Sequence, residues 1–370
     1  MKRDDMTVLD QSVVEGADAI ADLLAGGLAD LLGPEMAARW RIRREHYRPR
    51  VLLSADEDGI TVAALLSSRP ATAALKIVDL WWREAEPARS ADGVAGMLDR
   101  VVAAARRQQA VVVKWELHDG ADLPAAARSR GFVPMQPNGQ RGCGDAVRGF
   151  ALWLVPIGHD EPRYYAQSTE FTCGAVAALL ATELAGQPGF TGDHGDRRLE
   201  IDFWRRASNF PACEPVGLAV AVRGHLADER RVEVALHPDT PVLLDEFEGF
   251  DREFRAELQD DSRQHAADLR IAVRGDRVDV GEIARRTAGA DIALLLITQA
   301  PMHGHDEPHW IVAHASDGRS LVIVQDPWID GPGGETWVDG HDLPIRLADL
   351  DRMLLWGSES HRGVVFLARR

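Results

Sequence analysis

The chain has 370 residues and a mass of 40.6 kDa, more than one ordinary core takes up and the size of two domains. Hydrophobic residues make up 45% and charged residues 27%, which excludes a disordered or fibrous chain. Forty-two basic against 58 acidic residues leave a net charge of −16, and with no basic run to follow a phosphate backbone no nucleic acid partner is expected.

In chain order, the first fourteen residues carry charges but no apolar core of the signal-peptide type. Strand-like runs follow at 51–54, 60–66 and 74–81. Val94, Met97, Leu98, Val101 and Ala105 then recur at helical spacing over 91–107. A strand is expected at 110–117, a short helix at 123–129 and the start of another strand at 131–135. Residues 136–144 read as a loop by their Pro, Asn and Gly content, 148–155 as a strand and 156–162 as a linker. A helix begins near Cys173, with Gly186 and Pro188 marking its end. A charged helical region surrounds 252–268, and strands are expected at 292–298, 310–315 and 320–325, the last two joined by a turn at Asp317 and Gly318. Both halves are α+β, with the boundary between 136 and 162. No apolar run approaches the roughly 18 residues of a membrane span, so no membrane partner is expected. Cys143, Cys173 and Cys213 are odd in number and widely spaced, which argues against a disulfide framework and for a reduced cytoplasm. All basic residues but Lys2, Lys76 and Lys114 are arginine; with the abundant alanine, that is the usage of a GC-rich bacterial genome.

The strand at 74–81, the small residues Gly93, Ala95 and Gly96 ahead of a helix, and Gly131-Phe132 before the last strands resemble the GNAT acetyltransferase family over 51–136. The resemblance implies an N-terminal domain, 1–155, of GNAT-like α/β type. It also implies Gly93, Ala95 and Gly96 as contacts for an acyl-CoA pyrophosphate. Ser90 stands where the family has Gln or Arg, and Asp92 would repel a pyrophosphate. No tyrosine precedes Gly131-Phe132, since the only tyrosines are Tyr47, Tyr164 and Tyr165. The expectation is a degenerate domain without acetyl transfer.

Chemistry is concentrated further on. Cys173 opens a helix of small and apolar residues, where unpaired N–H groups and the helix dipole favour a thiolate. Gln167, six residues upstream, can offer its amide to the same carbonyl that Cys173 would attack, beside the Cys173 N–H. His309 opens one strand and Asp326 ends the next; if these pair through the turn, the carboxylate reaches the ring nitrogen facing away from the thiol. Structural alternatives are a buried thiol for Cys173 and a turn residue before Pro327 for Asp326. Cys143 and Cys213 are read as bystanders. His303, His305 and His309 with Cys173 make a conceivable metal set, but they sit in a Gly- and Pro-containing loop with no carboxylate cluster, and no metal is expected.

Gln167, Cys173, His309 and Asp326-Pro327, with Glu307-Pro308-His309-Trp310 around the base, resemble the papain-like cysteine peptidases of the double-glycine, bacteriocin-leader-processing type. The likeness is to a peptidase-like branch fused behind a GNAT-like domain, and it covers 160–370. It implies Cys173 as nucleophile, His309 as base, Asp326 as orienting acid and Gln167 as oxyanion donor. It further implies a peptide or amide substrate, with a small residue before the cleaved bond, no cofactor, and a peptide-modifying or ligase enzyme as partner. His225 stands where the family has an aromatic. The same four residues serve acyl or aminoacyl transfer as well as hydrolysis, and a catalytically silent scaffold is the competing class.

Overall fold

A computed structural model describes residues 10–84, 87–118, 120–136, 147–209, 211–289 and 291–369. Contacts divide the chain into two compact units. The first comprises Met1–Met135, Ala146–Pro156 and Asp330–Asp339, and the second Gln136–Asp145, Ile157–Ile329 and Gly340–Arg370. The ten residues 330–339 thus belong to the first unit, although the sequence reading assigns 160–370 to one domain.

The first unit is built on a seven-stranded sheet: β1 Asp10–Glu15, β2 Arg50–Asp56, β3 Gly59–Ser67, β4 Ala74–Trp82, β5 Val112–His118, β6 Val133–Pro134 and β7 Val147–Trp153. Its order is β1-β2-β3-β4-β5-β7-β6; β4 and β5 pair in parallel, and the other neighbours are antiparallel. Strand side chains alternate between faces. Leu52, Val62, Leu75, Ile77, Val113 and Trp115 face one way and bury Val94, Met97, Leu98 and Val101 of α4, Pro87–Arg107. Val51, Leu53, Ala63, Leu65 and Val78 face the other way and cover Ile20, Leu28 and Trp40 from the helices at 17–40.

The turn expected at 90–96 is a correction. Helix α4 already starts at Pro87, a residue suited to the first helical position, so Gly93, Ala95 and Gly96 lie two turns inside it. Their N–H groups bond within the helix and are not presented to a phosphate. A short helix, α5 Ala125–Ser129, and β6 stand where a helix and a strand start were expected.

On the same face as Val78, β4 and β5 carry Lys76, Lys114 and Glu116, all buried. The 330–339 segment meets them. Lys76 Nζ lies 3.0 Å from Glu116 Oε2 and 2.5 Å from Asp339 Oδ2, and Lys114 Nζ donates to the Val338 carbonyl at 2.8 Å. Arg69 grips Glu335 with two bonds of 2.8 Å, and Thr336 Oγ1 donates to Glu116 at 2.6 Å. Lys76 is held protonated against the cost of burial by the carboxylates of Asp339 and Glu116.

The second unit has its own seven-stranded sheet: β8 Val232–His237, β9 Ala272–Arg274, β10 Asp291–Thr298, β11 Pro308–Ser316, β12 Leu321–Gln325, β13 Leu343–Arg346 and β14 Arg362–Ala368. The order is β13-β12-β11-β10-β14-β8-β9, antiparallel except for β8 with β9. Helix α6, Cys173–Leu184, is buried along its first ten residues, as a helix apolar on all sides must be. It packs with α7, Asp196–Ala207, and α8, Pro215–His225, onto Leu294, Leu296, Trp310, Val312 and Val365. The expected strands at 292–298, 310–315 and 320–325 are β10, β11 and β12, and the charged region is helix α9, Gly249–Asp268. Among the described residues, no helix is long and apolar enough to cross a membrane.

Candidate active site

Cys173 is the first residue of α6, and among the described residues no side chain caps that end. Thr172, at the N-cap position, turns its hydroxyl 2.5 Å from Glu200 Oε1 on α7. The first-turn N–H groups of α6 have no acceptors within the helix. Gly174 allows this placement, because a Cβ there would lie 2.9 Å from Cys213 Cβ and 3.1 Å from Trp310 Cδ1.

His309 and Asp326 are brought together by the hairpin that the turn residues specify. Asp317 Oδ1 accepts from the N–H groups of Arg319 and Ser320 at 2.9 and 2.8 Å, and Gly318 supplies the left-handed φ of 74°. Strands β11 and β12 then pair antiparallel, with Val312 opposite Gln325. His309 Nε2 lies 2.7 Å from Asp326 Oδ1, and both residues are fully buried. Asp326 Oδ1 also accepts from Trp328 N at 2.9 Å. With Nε2 on the carboxylate, Nδ1 is the ring nitrogen left for Cys173, which interacts electrostatically with His309. Burial pulls the imidazole pKa down, but the charge and hydrogen bond of Asp326, with a smaller contribution from Cys173, push it up to about 9.

Gln167 sits on the extended approach to α6. Its N–H donates to the Pro327 carbonyl at 2.9 Å, which ties it to the segment carrying Asp326. Its side-chain Nε2 donates one hydrogen to Thr169 O at 2.8 Å, so a second amide hydrogen remains.

Several residues at this centre were given no role in the site by the sequence reading. Glu200, completely buried, accepts from Tyr165 Oη at 3.0 Å, Ser168 N at 2.8 Å and Thr172 Oγ1. Its signal was readable: Asp196, Glu200, Phe203 and Ala207 form the buried stripe of α7, and an acid on such a stripe needs partners. Tyr164 Oη donates to the Asp326 carbonyl at 2.7 Å. His303 is placed with Nε2 3.9 Å from Asp326 Oδ2, beside the His309–Asp326 pair rather than in the metal set considered from sequence. Cys213 is buried against Gly174, and burial, then the neighbouring Cys173 and Glu214, push its thiol pKa up. Cys143 lies outside the described residues. His225 meets Phe203 edge-on, with ring centroids 5.5 Å apart, so an imidazole ring fills the place expected for an aromatic.

This is the architecture of a thiol centre on a helix N-terminus facing an imidazole–carboxylate pair on a sheet. The chain belongs to the peptidase C39-like family, whose model matches residues 162–368. No curated protein matches it. Among solved structures, the N-terminal region is similar to a chain described as a GNAT-family acetyltransferase from Desulfovibrio desulfuricans, with 17% identity over 40% of this chain and 100% of that one, TM-score 0.30. It is also similar to the ribosomal-protein-S18-alanine N-acetyltransferase of Escherichia coli, with 10% identity over 41% of this chain and 98% of that one, TM-score 0.29. A third is an aminoglycoside 6'-acetyltransferase type Ii, with 11% identity over 40% and 99%, TM-score 0.30.

Proposed function

We propose that the protein is a cysteine-nucleophile hydrolase that cleaves a peptide or amide bond through an acyl-enzyme on Cys173. The observation that carries this reading is the buried His309–Asp326 bond of 2.7 Å beside a thiol at the first position of a helix. Cys173 as thiolate attacks the carbonyl carbon, and the carbonyl π electrons move to oxygen. The second amide hydrogen of Gln167 and the N–H of Cys173 stabilise that oxyanion. As the tetrahedral species collapses, the C–N bond breaks and His309 gives its proton to the departing amine. Water then attacks the thioester, passing a proton back to His309, and the thiolate leaves as the acid is released. Asp326 keeps the imidazole oriented and stabilises its cation throughout. A reduced cytoplasm follows from the odd, widely spaced cysteines, and a peptide substrate with a small residue before the cleaved bond from the family resemblance. A peptide-modifying or ligase partner follows from it too.

The test is the iodoacetamide labelling rate of each cysteine, read by peptide mass spectrometry across pH in wild type and His309→Ala. Labelling of Cys173 at pH 6.5 is expected to outrun that of Cys213 and to slow roughly tenfold or more without His309. Equal rates for the two thiols, indifferent to His309, would favour a silent scaffold.

A further inference from the structure

Helix α9 carries a surface that the thiol centre does not use. Its buried residues are Gln259, Ser262 and Ala266. At about 3.6 residues per turn, Phe250 and Phe254 fall on the opposite side, and they are 76% and 47% exposed. Their rings stack on each other, with 5.9 Å between centroids and 5° between planes. Two large aromatic side chains are thus kept in water, where their burial would be favourable. The segment leading into the helix adds a second apolar feature. Phe247, with Pro211, Leu243, Leu244, Pro308 and Trp356, lines an open recess of about 650 Å³.

Charge decides what such a surface accepts. From 245 to 257 the acids are Asp245, Glu246, Glu248, Asp251, Glu253 and Glu257, against Arg252 and Arg255. Asp245 accepts from Ser358 N at 2.8 Å and from Ser358 Oγ at 2.9 Å. The other five acids are exposed, and among the described residues none of them has an ion-pair partner. Both arginines are engaged elsewhere. Arg252 donates to the Leu244 carbonyl at 2.6 Å and Arg255 to the Asn209 carbonyl at 2.8 Å, and the Arg255 guanidinium lies 3.8 Å over the Phe247 ring. A second copy of this chain, an anionic lipid surface or a nucleic acid would set negative charge against these carboxylates. A cationic partner is attracted to them.

We propose that the run from 245 to 257 docks a basic peptide segment bearing bulky apolar side chains. Glu253 and Glu257 follow Phe250 and Phe254 by three positions, so each acid neighbours a ring on the same face of α9. Apolar side chains of the partner cover the ring pair and enter the recess, and its Lys or Arg groups meet Glu246, Glu253 and Glu257. A cation over a Phe ring is itself attracted, which suits the same partner. This is a binding property of the second unit and does not depend on cleavage at Cys173.

The experiment uses the full chain carrying Cys173→Ala, so that no probe is consumed. A fluorescein-labelled synthetic peptide of Lys, Leu and Phe is titrated by fluorescence anisotropy at low and at high salt. It is expected to bind, and Phe250→Ser with Phe254→Ser to weaken that binding by about tenfold or more. Both rings are exposed, so that variant should keep the melting temperature of its parent. Glu253→Gln with Glu257→Gln is expected to weaken binding at low salt and to matter little at high salt, where screening already removes the attraction. A counterpart peptide with Glu in place of Lys should not bind. No binding of the Lys peptide, binding indifferent to the two Phe substitutions, or equal binding of a peptide of Lys and Ser alone would each overturn the proposal. So would light scattering that shows a dimer of this chain held together by the two rings. Failure of peptide binding with Cys173 labelling intact in the wild type would leave the hydrolase reading standing, so the two readings fail separately.

Discussion

At the scale of single residues, two carboxylates do different work around Cys173. Asp326 sets the charge of His309. Because the folded imidazole titrates near 9 and an unfolded one near 6.5, the pair contributes stability that is fully present below pH 6.5 and is lost as pH rises through 9. Asp326→Asn should therefore lower stability by about 3 kcal/mol at pH 6 and by much less at pH 10, as urea melts at the two pH values would read. Glu200 holds the approach to Cys173 through three accepted hydrogen bonds. Glu200→Gln places an amide N–H against one of those donors and should cost about 1–3 kcal/mol. The Cys173 labelling rate should fall with it, although Glu200 does not touch the thiol.

Between elements, the decisive contact is the one under Gly174. Alanine there would favour α6 by roughly 0.5–1 kcal/mol of intrinsic propensity. The overlap with Cys213 Cβ and Trp310 should cost about 1–3 kcal/mol, so the clash wins. Gly174→Ala is expected to lower the melting temperature, and Cys213→Gly in the same chain to recover part of the loss, a coupling a double-mutant cycle measures. The same elements show what a sequence discloses. The pairing of β11 with β12 was legible because Asp317 and Gly318 specify their turn, though not the register shift between Ala313 and Ala315, and the start of α6 because small residues follow Cys173. The helical course of 87–96 was not, since two glycines there look like a phosphate turn while Pro87 starts the helix upstream. Strand β14 was overlooked although Val364, Val365, Phe366 and Leu367 make a strand-like apolar run; its place between β10 and β8 was not legible, because those neighbours lie far away in the chain.

For the whole molecule, the buried charges that hold 330–339 were beyond the reach of local pattern: Lys76 and Asp339 are 263 positions apart. Lys76→Met would leave Glu116 and Asp339 buried without their cation. A loss of about 3–5 kcal/mol is expected, visible as a lower and broader calorimetric transition. Asp326 and Gly340, hydrogen-bonded to each other, form the neck of the loop that carries the segment into the first unit. A gene truncated after Pro156 would encode a sheet whose Arg69 has lost Glu335 and whose Lys76, still beside Glu116, has lost Asp339. A gene beginning after it would encode the peptidase C39-like unit bearing a loop with nowhere to fold. Neither half can be copied, exchanged or discarded as a cassette, and once a lineage acquired this crossing of the chain, the fusion of the two halves became an inheritance it could no longer undo.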